Sequence, residues 1–313
     1  MLSQTYKNIE INIGDNSENS ESEKVFKEYS SDTRIKYHKH EKNIGASANY
    51  HFVRDISNGK YFMWTADDDY WDRTFIEKAV DRLENDPEAV GCWSQLQFFD
   101  ENGLIDKHPS FSSYLNSDFS DDDIVNRLIK FNLKWEFFQF YGLLKTNIAK
   151  QLDFLKWKTI GVDNILFNCL VLSGRCLFIK EILFYFSLSK DSLAIDIINN
   201  YKSEIYNEYT RINPHLELFI TCFQLILVSE NLSLLQKIVF YFKYWIRTLL
   251  QKPSRINMFC YYPIRSFFLL VIRKRDYFHI IICIPLFLFL FFSKVKRLLS
   301  RIKRSLLKTN NKK

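Results

Sequence analysis

Hydrophobic and polar positions in the first hundred residues alternate between period-two runs and runs of helical spacing, with turn residues between them. Ile9, Ile11 and Ile13 predict a strand that ends at Gly14-Asp15-Asn16-Ser17. Helical spacing predicts helices at about 18–29, 46–56 and 74–83, and further strands are predicted at 34–37, 61–65 and 90–99. Alternating strands and helices predict βα units around a mainly parallel central sheet, so we expect an α/β domain.

The pattern changes twice further along the chain. Between residues 118 and 191 it predicts helices at 124–131, 147–155 and 163–172 and strands at 135–144, 176–179 and 182–187. Beyond Asp191 no strand pattern remains, and the apolar segments 216–228, 234–250 and 266–272 predict helices. We therefore expect three parts: an α/β domain at 1–190, a helical extension at 191–263 and a basic, apolar tail at 264–313.

Composition and charge narrow the function classes. The chain has 313 residues, of which 47% are hydrophobic, so it can bury a large core and is not a disordered chain. Its net charge is +7, but residues 264–313 hold 13 Lys and Arg against Asp276, and the preceding part holds 30 basic and 35 acidic residues. Because the basic charge belongs to the tail, we do not expect nucleic acid to be a partner.

Cysteine usage and the N-terminal residues bear on the compartment. The six cysteines lie among apolar neighbours without any CxxC pair, which predicts buried thiols in a reducing compartment. Met1-Leu2-Ser3-Gln4 leads directly into polar residues and does not resemble a signal peptide. We expect the N-terminal domain to stay in the cytosol.

Acidic residues follow two of the predicted strands. Asp15 follows the first strand, and Asp67, Asp68 and Asp69 follow the strand at 61–65. Ligands of parallel sheets bind where the carboxyl ends of the strands meet, so we expect both groups at one edge. Three adjacent carboxylates repel one another, and Mg²⁺ or Mn²⁺ bridging to a phosphate would compensate them; a solvated loop with a helix cap is the alternative. A second triplet, at 121–123, directly precedes a helix and is expected to cap it.

Several motifs in succession carry a family resemblance. The segment at 3–17, SQTYKNIEINIGDNS, resembles a conserved segment of family 2 glycosyltransferases with the GT-A fold. Asn43-Ile44-Gly45, Asn58-Gly59-Lys60-Tyr61 and the run at 65–71, TADDDYW, resemble later motifs of that family in the same order. The segment at 141–146, YGLLKT, is similar to a weaker motif of its capsule and O-antigen branch. The resemblance implies a GT-A nucleotide-sugar-binding domain.

The resemblance also implies roles for individual residues. Asp15 matches the acid that binds the nucleotide base, and the triplet matches the acids that bind ribose, diphosphate and metal. We expect Asp67 or Asp68 at the ribose and Asp69 or Asp68 at a Mg²⁺ or Mn²⁺ ion. Asp163 matches the general base of an inverting transferase, and a helix N-cap without a catalytic role is the alternative for this residue. The expected enzyme is a hexosyltransferase-like glycosyltransferase of class EC 2.4.

One departure from the family concerns the N-terminus. The family domain starts with a strand and helix that precede the segment matched here, so we expect an N-terminally truncated GT-A domain, arising from a misassigned start or a shortened product. The alternative function is therefore a catalytically inactive homologue that acts as a membrane-bound assembly partner.

The tail predicts an association with membranes. Residues 280–292 are uncharged and apolar, shorter than a comfortable span, and cations flank them on both sides. Residues 295–307 place apolar positions at helical spacing opposite Lys and Arg, which is typical of an interfacial helix with affinity for anionic lipid. With the resemblance, this predicts a peripheral or monotopic enzyme on the cytoplasmic side of the bacterial inner membrane. It would use a nucleotide-sugar donor and a lipid-linked or other saccharide acceptor in surface-polysaccharide biosynthesis.

Overall fold

The computed structural model describes residues 1–105, 118–134, 140–153, 162–187, 222, 225–226 and 229–251. The strands within them are β1 (Ile11–Asp15), β2 (Ile35–Lys39), β3 (Tyr61–Phe62), β4 (Tyr70–Trp71), β5 (Ala89–Asp100), β6 (Gly103–Ile105), β7 (Leu143–Lys145) and β8 (Arg175–Ser187). The helices are α1 (Glu21–Glu28), α2 (Ala46–Asp55), α3 (Phe75–Glu84), α4 (Ile124–Lys134), α5 (Thr146–Ala149), α6 (Val162–Ser173) and α7 (Leu234–Gln251). The predicted α/β class is confirmed.

The strands form two sheets of different size. β1 and β2 form a parallel pair, and the other strands form a sheet in the order β3-β7-β5-β8-β4, with β6 paired to β5. β5 and β8 run parallel, whereas β3, β4, β6 and β7 all pair antiparallel. The prediction of a mainly parallel sheet is therefore wrong. The four antiparallel strands are two or three residues long, too short for a sequence pattern to define their direction.

The two long strands, β5 and β8, form the centre of the core. On one face of the sheet α3 buries its apolar side, and the ring of Trp71 stacks on that of Phe184 at 4.2 Å between centroids. On the other face Trp93 of β5 meets Phe167 of α6 at 5.2 Å, and Phe131 of α4 meets the same ring at 4.6 Å. Helices thus cover both faces of the sheet, as expected of an α/β domain.

Several predicted boundaries change in the structure. The helix predicted at 147–155 is the short α5, and the strands predicted at 176–179 and 182–187 are one strand, β8. The two polar residues in the middle of β8, Lys180 and Glu181, lie where the pairing with β5 shifts register, so they mark an irregularity inside a strand and not its end. The strand predicted at 135–144 is described only from residue 140 onward, as β7 after a short turn.

The C-terminal half contributes few described residues. The chain divides into two compact units, residues 1–210 with 217–247 and residues 211–216 with 248–313, and nearly all described residues belong to the first. The predicted tail at 264–313 lies outside the described residues, and the three-part division of the chain stays a prediction. In the described part of the chain, no helix is long and apolar enough to cross a membrane.

The cysteines that the structure describes have free thiols. Cys92, Cys176 and Cys222 are buried and Cys169 is half-buried, and none of the four forms a disulfide. Burial raises the pKa of Cys92 to about 12, because the thiolate would lose its hydration. These four residues agree with the predicted buried thiols.

Candidate functional site

Asp15, the last residue of β1, is buried and fully hydrogen-bonded within the chain. Its Oδ1 accepts from the backbone N–H of Ser17 at 2.8 Å and from the Ser17 hydroxyl at 2.6 Å. Its Oδ2 accepts from the hydroxyl of Tyr37 and from Nζ of Lys39, the latter at 2.9 Å. A carboxylate offers about four lone-pair sites, so these four donors use its accepting capacity.

The electrostatics of Asp15 follow from those contacts. Burial alone would raise its pKa, but hydrogen bonds from Ser17, Tyr37 and Lys39 outweigh burial and hold the pKa well below its usual range. Burial and the hydrogen bond to Asp15 raise the pKa of Tyr37 to about 12. Asp15 is therefore an ionised carboxylate that the chain itself neutralises.

The triplet at 67–69 lies in the loop that joins β3 to β4. Asp67 and Asp68 are exposed, whereas Asp69 is half-buried directly before β4. The Oδ1 atom of Asp69 accepts from the backbone N–H of Ser187, the last residue of β8, at 3.0 Å. Its Oδ2 atom is buried and has no hydrogen-bond partner among the described residues. A buried carboxylate oxygen without a partner is costly, so this atom is available to accept a hydrogen bond or to contact a ligand.

The charge state of Asp69 contrasts with that of Asp15. Burial, together with the charges of Asp68 and Asp67, raises the pKa of Asp69 to about 7, and the hydrogen bond from Ser187 only partly opposes this rise. Without a cation the site therefore favours a proton on Asp69 near neutral pH. A divalent ion beside this carboxylate would favour the ionised form instead.

Two tyrosines near the triplet were not assigned a role from the sequence. The hydroxyls of Tyr50, on α2, and Tyr141 are hydrogen-bonded to each other. Burial raises the pKa of both, and the charge of Asp69 raises it further in each case. The neighbouring Gly142 is required by close packing, because a Cβ there would lie 2.2 Å from Nε1 of Trp93. The only signal in the sequence was the motif at 141–146, which names no partner for Tyr141.

Gln4 supports the backbone that follows the acid triplet, and it was not assigned a role from the sequence. It is 1% exposed, its Nε2 donates to the carbonyl of Asp72 at 2.7 Å, and its Oε1 accepts from the N–H of Ile76 at 3.1 Å. The next residue, Thr5, donates its N–H to the carbonyl of Arg73 at 2.7 Å. Gln4 thus fixes the start of α3, six residues after Asp69. The motif at 3–17 marked this residue, but its partners lie 68 and 72 positions away.

Asp163 lies in the first turn of α6, where the prediction placed it. Because only Gly174 separates α6 from β8 and the two pack together, the first turn of α6 points toward the Ser187 end of β8. The side chain of Asp163 lies outside the described residues, so its role stays a prediction.

The second acidic triplet has structural partners. Asp123 Oδ1 accepts from the N–H of Val125 at 2.8 Å and begins α4, Asp121 pairs with Lys130, and Asp122 pairs with Arg175. These contacts agree with the expected helix cap.

The predicted site residues form two separate groups. Asp67, Asp68 and Asp69 lie together, whereas Asp15 belongs to the β1–β2 pair, and no hydrogen bond or ion pair joins the two groups within the described residues. The structure therefore does not place them along one edge of one sheet. In the same described part of the chain, no group of three or more His, Cys, Asp or Glu side chains is arranged to hold a metal ion alone. Mg²⁺ and Mn²⁺ commonly take one or two carboxylates and complete their shell with phosphate oxygens, and the open Oδ2 of Asp69 fits that pattern.

Comparison with known proteins finds a family match over the N-terminal part of the chain and relatives that share part of its length. The family model described as glycosyl transferase family 2 matches residues 1–148. The uncharacterized glycosyltransferase MJ1057 of Methanocaldococcus jannaschii is 35% identical over 107 residues, which are 34% of this chain and 37% of that protein. Glycosyltransferase GlyA of Streptococcus pneumoniae is 25% identical over 199 residues, 62% of this chain and 28% of GlyA. The chain thus spans about a third of the length of these relatives.

Solved structures agree on the fold over a larger part of the chain. S. aureus TarS matches with a TM-score of 0.57 over 81% of this chain and 40% of TarS, at 12% identity. Its fragment 1–349, crystallised in complex with UDP-GlcNAc, matches with the same TM-score at 13% identity and covers 81% of this chain and 68% of the fragment. At such identities the likeness supports the glycosyltransferase fold and does not identify a substrate.

Proposed function

We propose that the protein transfers a sugar from a nucleotide-sugar donor to a saccharide acceptor, because the glycosyl transferase family 2 model matches residues 1–148. The observation that carries the proposal is Asp69, whose buried Oδ2 has no hydrogen-bond partner in the described part of the chain and adjoins two exposed carboxylates. A metal-bound diphosphate is the ligand that these groups fit, since no described side chain forms an ion pair with them.

The donor site we propose keeps the residue roles predicted from the sequence. Asp69 and Asp68 hold a Mg²⁺ or Mn²⁺ ion, Asp67 or Asp68 binds the ribose, and Asp15 faces the base. The contacts of Asp15 add a condition: because four donors already occupy its carboxylate, a base must displace Tyr37 or Lys39 or bind through them. The cation, when bound, offsets the negative charge that develops on the departing diphosphate.

We propose an inverting transfer in a single displacement. The acceptor hydroxyl oxygen forms a bond to the anomeric carbon of the donor, while the bond from that carbon to the diphosphate oxygen breaks and its electron pair leaves with the diphosphate. Asp163 takes the proton of the acceptor hydroxyl as general base. The support for this step is the position of Asp163 in the first turn of α6, the end directed toward the Ser187 end of β8.

The wider setting is also a proposal. The excess of Lys and Arg in residues 264–313 and the apolar run within them support attachment to an anionic membrane surface, on the cytoplasmic side of the bacterial inner membrane. A lipid-linked saccharide is the acceptor that such attachment would bring within reach. On this basis we propose a role in surface-polysaccharide biosynthesis.

Isothermal titration of the full chain with UDP, GDP and dTDP, each with and without Mn²⁺, tests the donor site. TarS was crystallised with UDP and UDP-GlcNAc, so UDP is the first nucleotide to test. We expect one nucleotide to bind only with the metal, and Asp69→Ala to weaken its binding by at least about 100-fold. Asp122→Ala is the matched control, since it removes an exposed acid from the other triplet. Absence of metal-dependent binding by the wild type would instead favour an inactive homologue that acts as an assembly partner.

A further inference from the structure

We infer that Tyr70, Tyr185 and Gln97 form a platform that binds a pyranose ring of the acceptor saccharide beside the acid triplet, an inference that rests on the proposed function. The three residues lie side by side across the sheet: Tyr70 of β4 pairs with Tyr185 of β8, which pairs with Gln97 of β5. We call this row the Tyr70 platform.

The face of the sheet on which the platform lies follows from strand alternation. Trp71, Phe184 and Phe186 pack in the apolar cluster on the α3 side. Tyr70 and Tyr185 alternate with these residues along their strands, so they project from the opposite face. That face is the one against which α6 packs through Phe167, and α6 carries Asp163 in its first turn.

Exposure distinguishes Tyr70 from the aromatic core around it. Its side chain is 57% exposed, and its ring lies 5.4 Å from that of Tyr185 with a 55° tilt between the planes. Its neighbour in the strand, Trp71, is 5% exposed. A pair of rings at the end of a strand, open to solvent on one side, provides the amphipathic surface that one face of a sugar ring can cover.

The position of the platform favours the acceptor as its occupant. Tyr70 directly follows Asp69, and β4 is the outer strand of the sheet, so the platform begins one residue after the acid triplet, at the edge of the sheet. The platform residues are uncharged, which suits a neutral sugar ring better than a phosphate group. The Gln97 amide, whose Nε2 donates to the carbonyl of Ile105 at 2.6 Å, is held in a fixed orientation at the inner end of the row.

A purely structural role for the pair predicts a different result. Cross-strand aromatic pairs stabilise short strands, so loss of the Tyr70 ring could act only through the edge of the sheet. Tyr70→Val keeps a residue of high β propensity and removes the ring, which separates the two roles. Tyr29 provides the matched control, since its side chain is 48% exposed and follows α1 on the surface.

The test is saturation-transfer NMR on the full chain with the methyl β-glycosides of glucose, galactose and N-acetylglucosamine as probes. We expect saturation of the ring protons of at least one probe in wild type and in Tyr29→Val, and a loss of about three- to tenfold in its affinity in Tyr70→Val. Tyr70→Trp should retain binding. Equal affinity in wild type and Tyr70→Val, or no saturation of any probe by the wild type, would overturn the platform.

Nucleotide titration on the same samples distinguishes failure of the Tyr70 platform from failure of the proposed function. If a glycoside contacts Tyr70 but no nucleotide binds, the proposed function fails and the saccharide platform stands. If a nucleotide binds with metal but the glycosides do not distinguish Tyr70→Val, the platform is wrong and the donor site stands.

Discussion

Asp15 and Asp69 were both predicted as site residues because acids follow predicted strands at these positions. The structure gives the two carboxylates opposite surroundings. Four donors from the chain surround Asp15, and its pKa is held well below the usual range. Asp69 has one hydrogen bond, a buried oxygen without a partner and a pKa raised to about 7. The difference indicates that the described residues compensate the charge of Asp15 and leave the charge of Asp69 largely uncompensated.

Removing the carboxylate of Asp15 should produce the largest loss of stability. Asp15→Ala leaves the half-buried hydroxyl of Tyr37 and the N–H of Ser17 without this acceptor and removes one of several acceptors of the Lys39 ammonium, so we expect the free energy of unfolding to fall by about 2–4 kcal/mol in urea denaturation. Glu23→Ala, which breaks an exposed helical ion pair with Lys27, is the control and should cost less than about 0.5 kcal/mol. If the two variants were equally stable, Asp15 would not be a structural residue.

Removing the Gln4 side chain should produce the next largest loss of stability, because this side chain fixes the backbone that follows the triplet. We expect Gln4→Ala to lower the free energy of unfolding by about 1–3 kcal/mol, since the carbonyl of Asp72 and the N–H of Ile76 lose their partner. Gln4→Met keeps the length of the side chain and removes both hydrogen-bonding groups, so its loss in the same denaturation experiment should be close to that of Gln4→Ala. A Gln4→Met variant as stable as wild type would contradict this assignment of the two hydrogen bonds.

Asp69→Asn should raise the free energy of unfolding when no metal is present. A raised pKa in the folded state means that stability declines as the pH rises from about 4, where the unfolded carboxyl ionises, to about 7. The neutral variant escapes this decline, so we expect it to be more stable than wild type by about 1–2 kcal/mol at pH 8 and equally stable below pH 4. Chemical denaturation in EDTA at both pH values measures this, and a less stable Asp69→Asn at pH 8 would show that the carboxylate is already compensated.

Asp15 should show the opposite pH dependence. Its folded pKa is depressed, so its contribution to stability is complete above the unfolded pKa near 4 and is lost as the pH falls further. We therefore expect the difference in unfolding free energy between wild type and Asp15→Asn to shrink on acidification below pH 4. A difference that stays constant to pH 2 would mean that hydrogen bonding in the folded state does not depress the pKa of Asp15.

The sequence predicted the positions of these residues but not their environments. Asp15 and the triplet were recognisable because turn residues and acids follow strand patterns. The partners that separate their behaviour come from elsewhere: Tyr37 and Lys39 from β2, and Ser187 from a position 118 residues beyond Asp69. The mixed sheet was not predictable for a related reason, since β4 owes its direction to pairing with β8 and not to its own two residues. Local patterns carry no information about such distant pairings.

The central claim is that Asp69 awaits a cation and Asp15 does not. Electron paramagnetic resonance of Mn²⁺, titrated with the full chain in the presence of UDP, measures this directly, because the sharp six-line signal of hydrated Mn²⁺ broadens when the ion binds. We predict that wild type and Asp15→Asn remove this signal with about one ion per chain and that Asp69→Asn leaves it free. Equal binding of Mn²⁺ by Asp69→Asn and wild type would contradict the account.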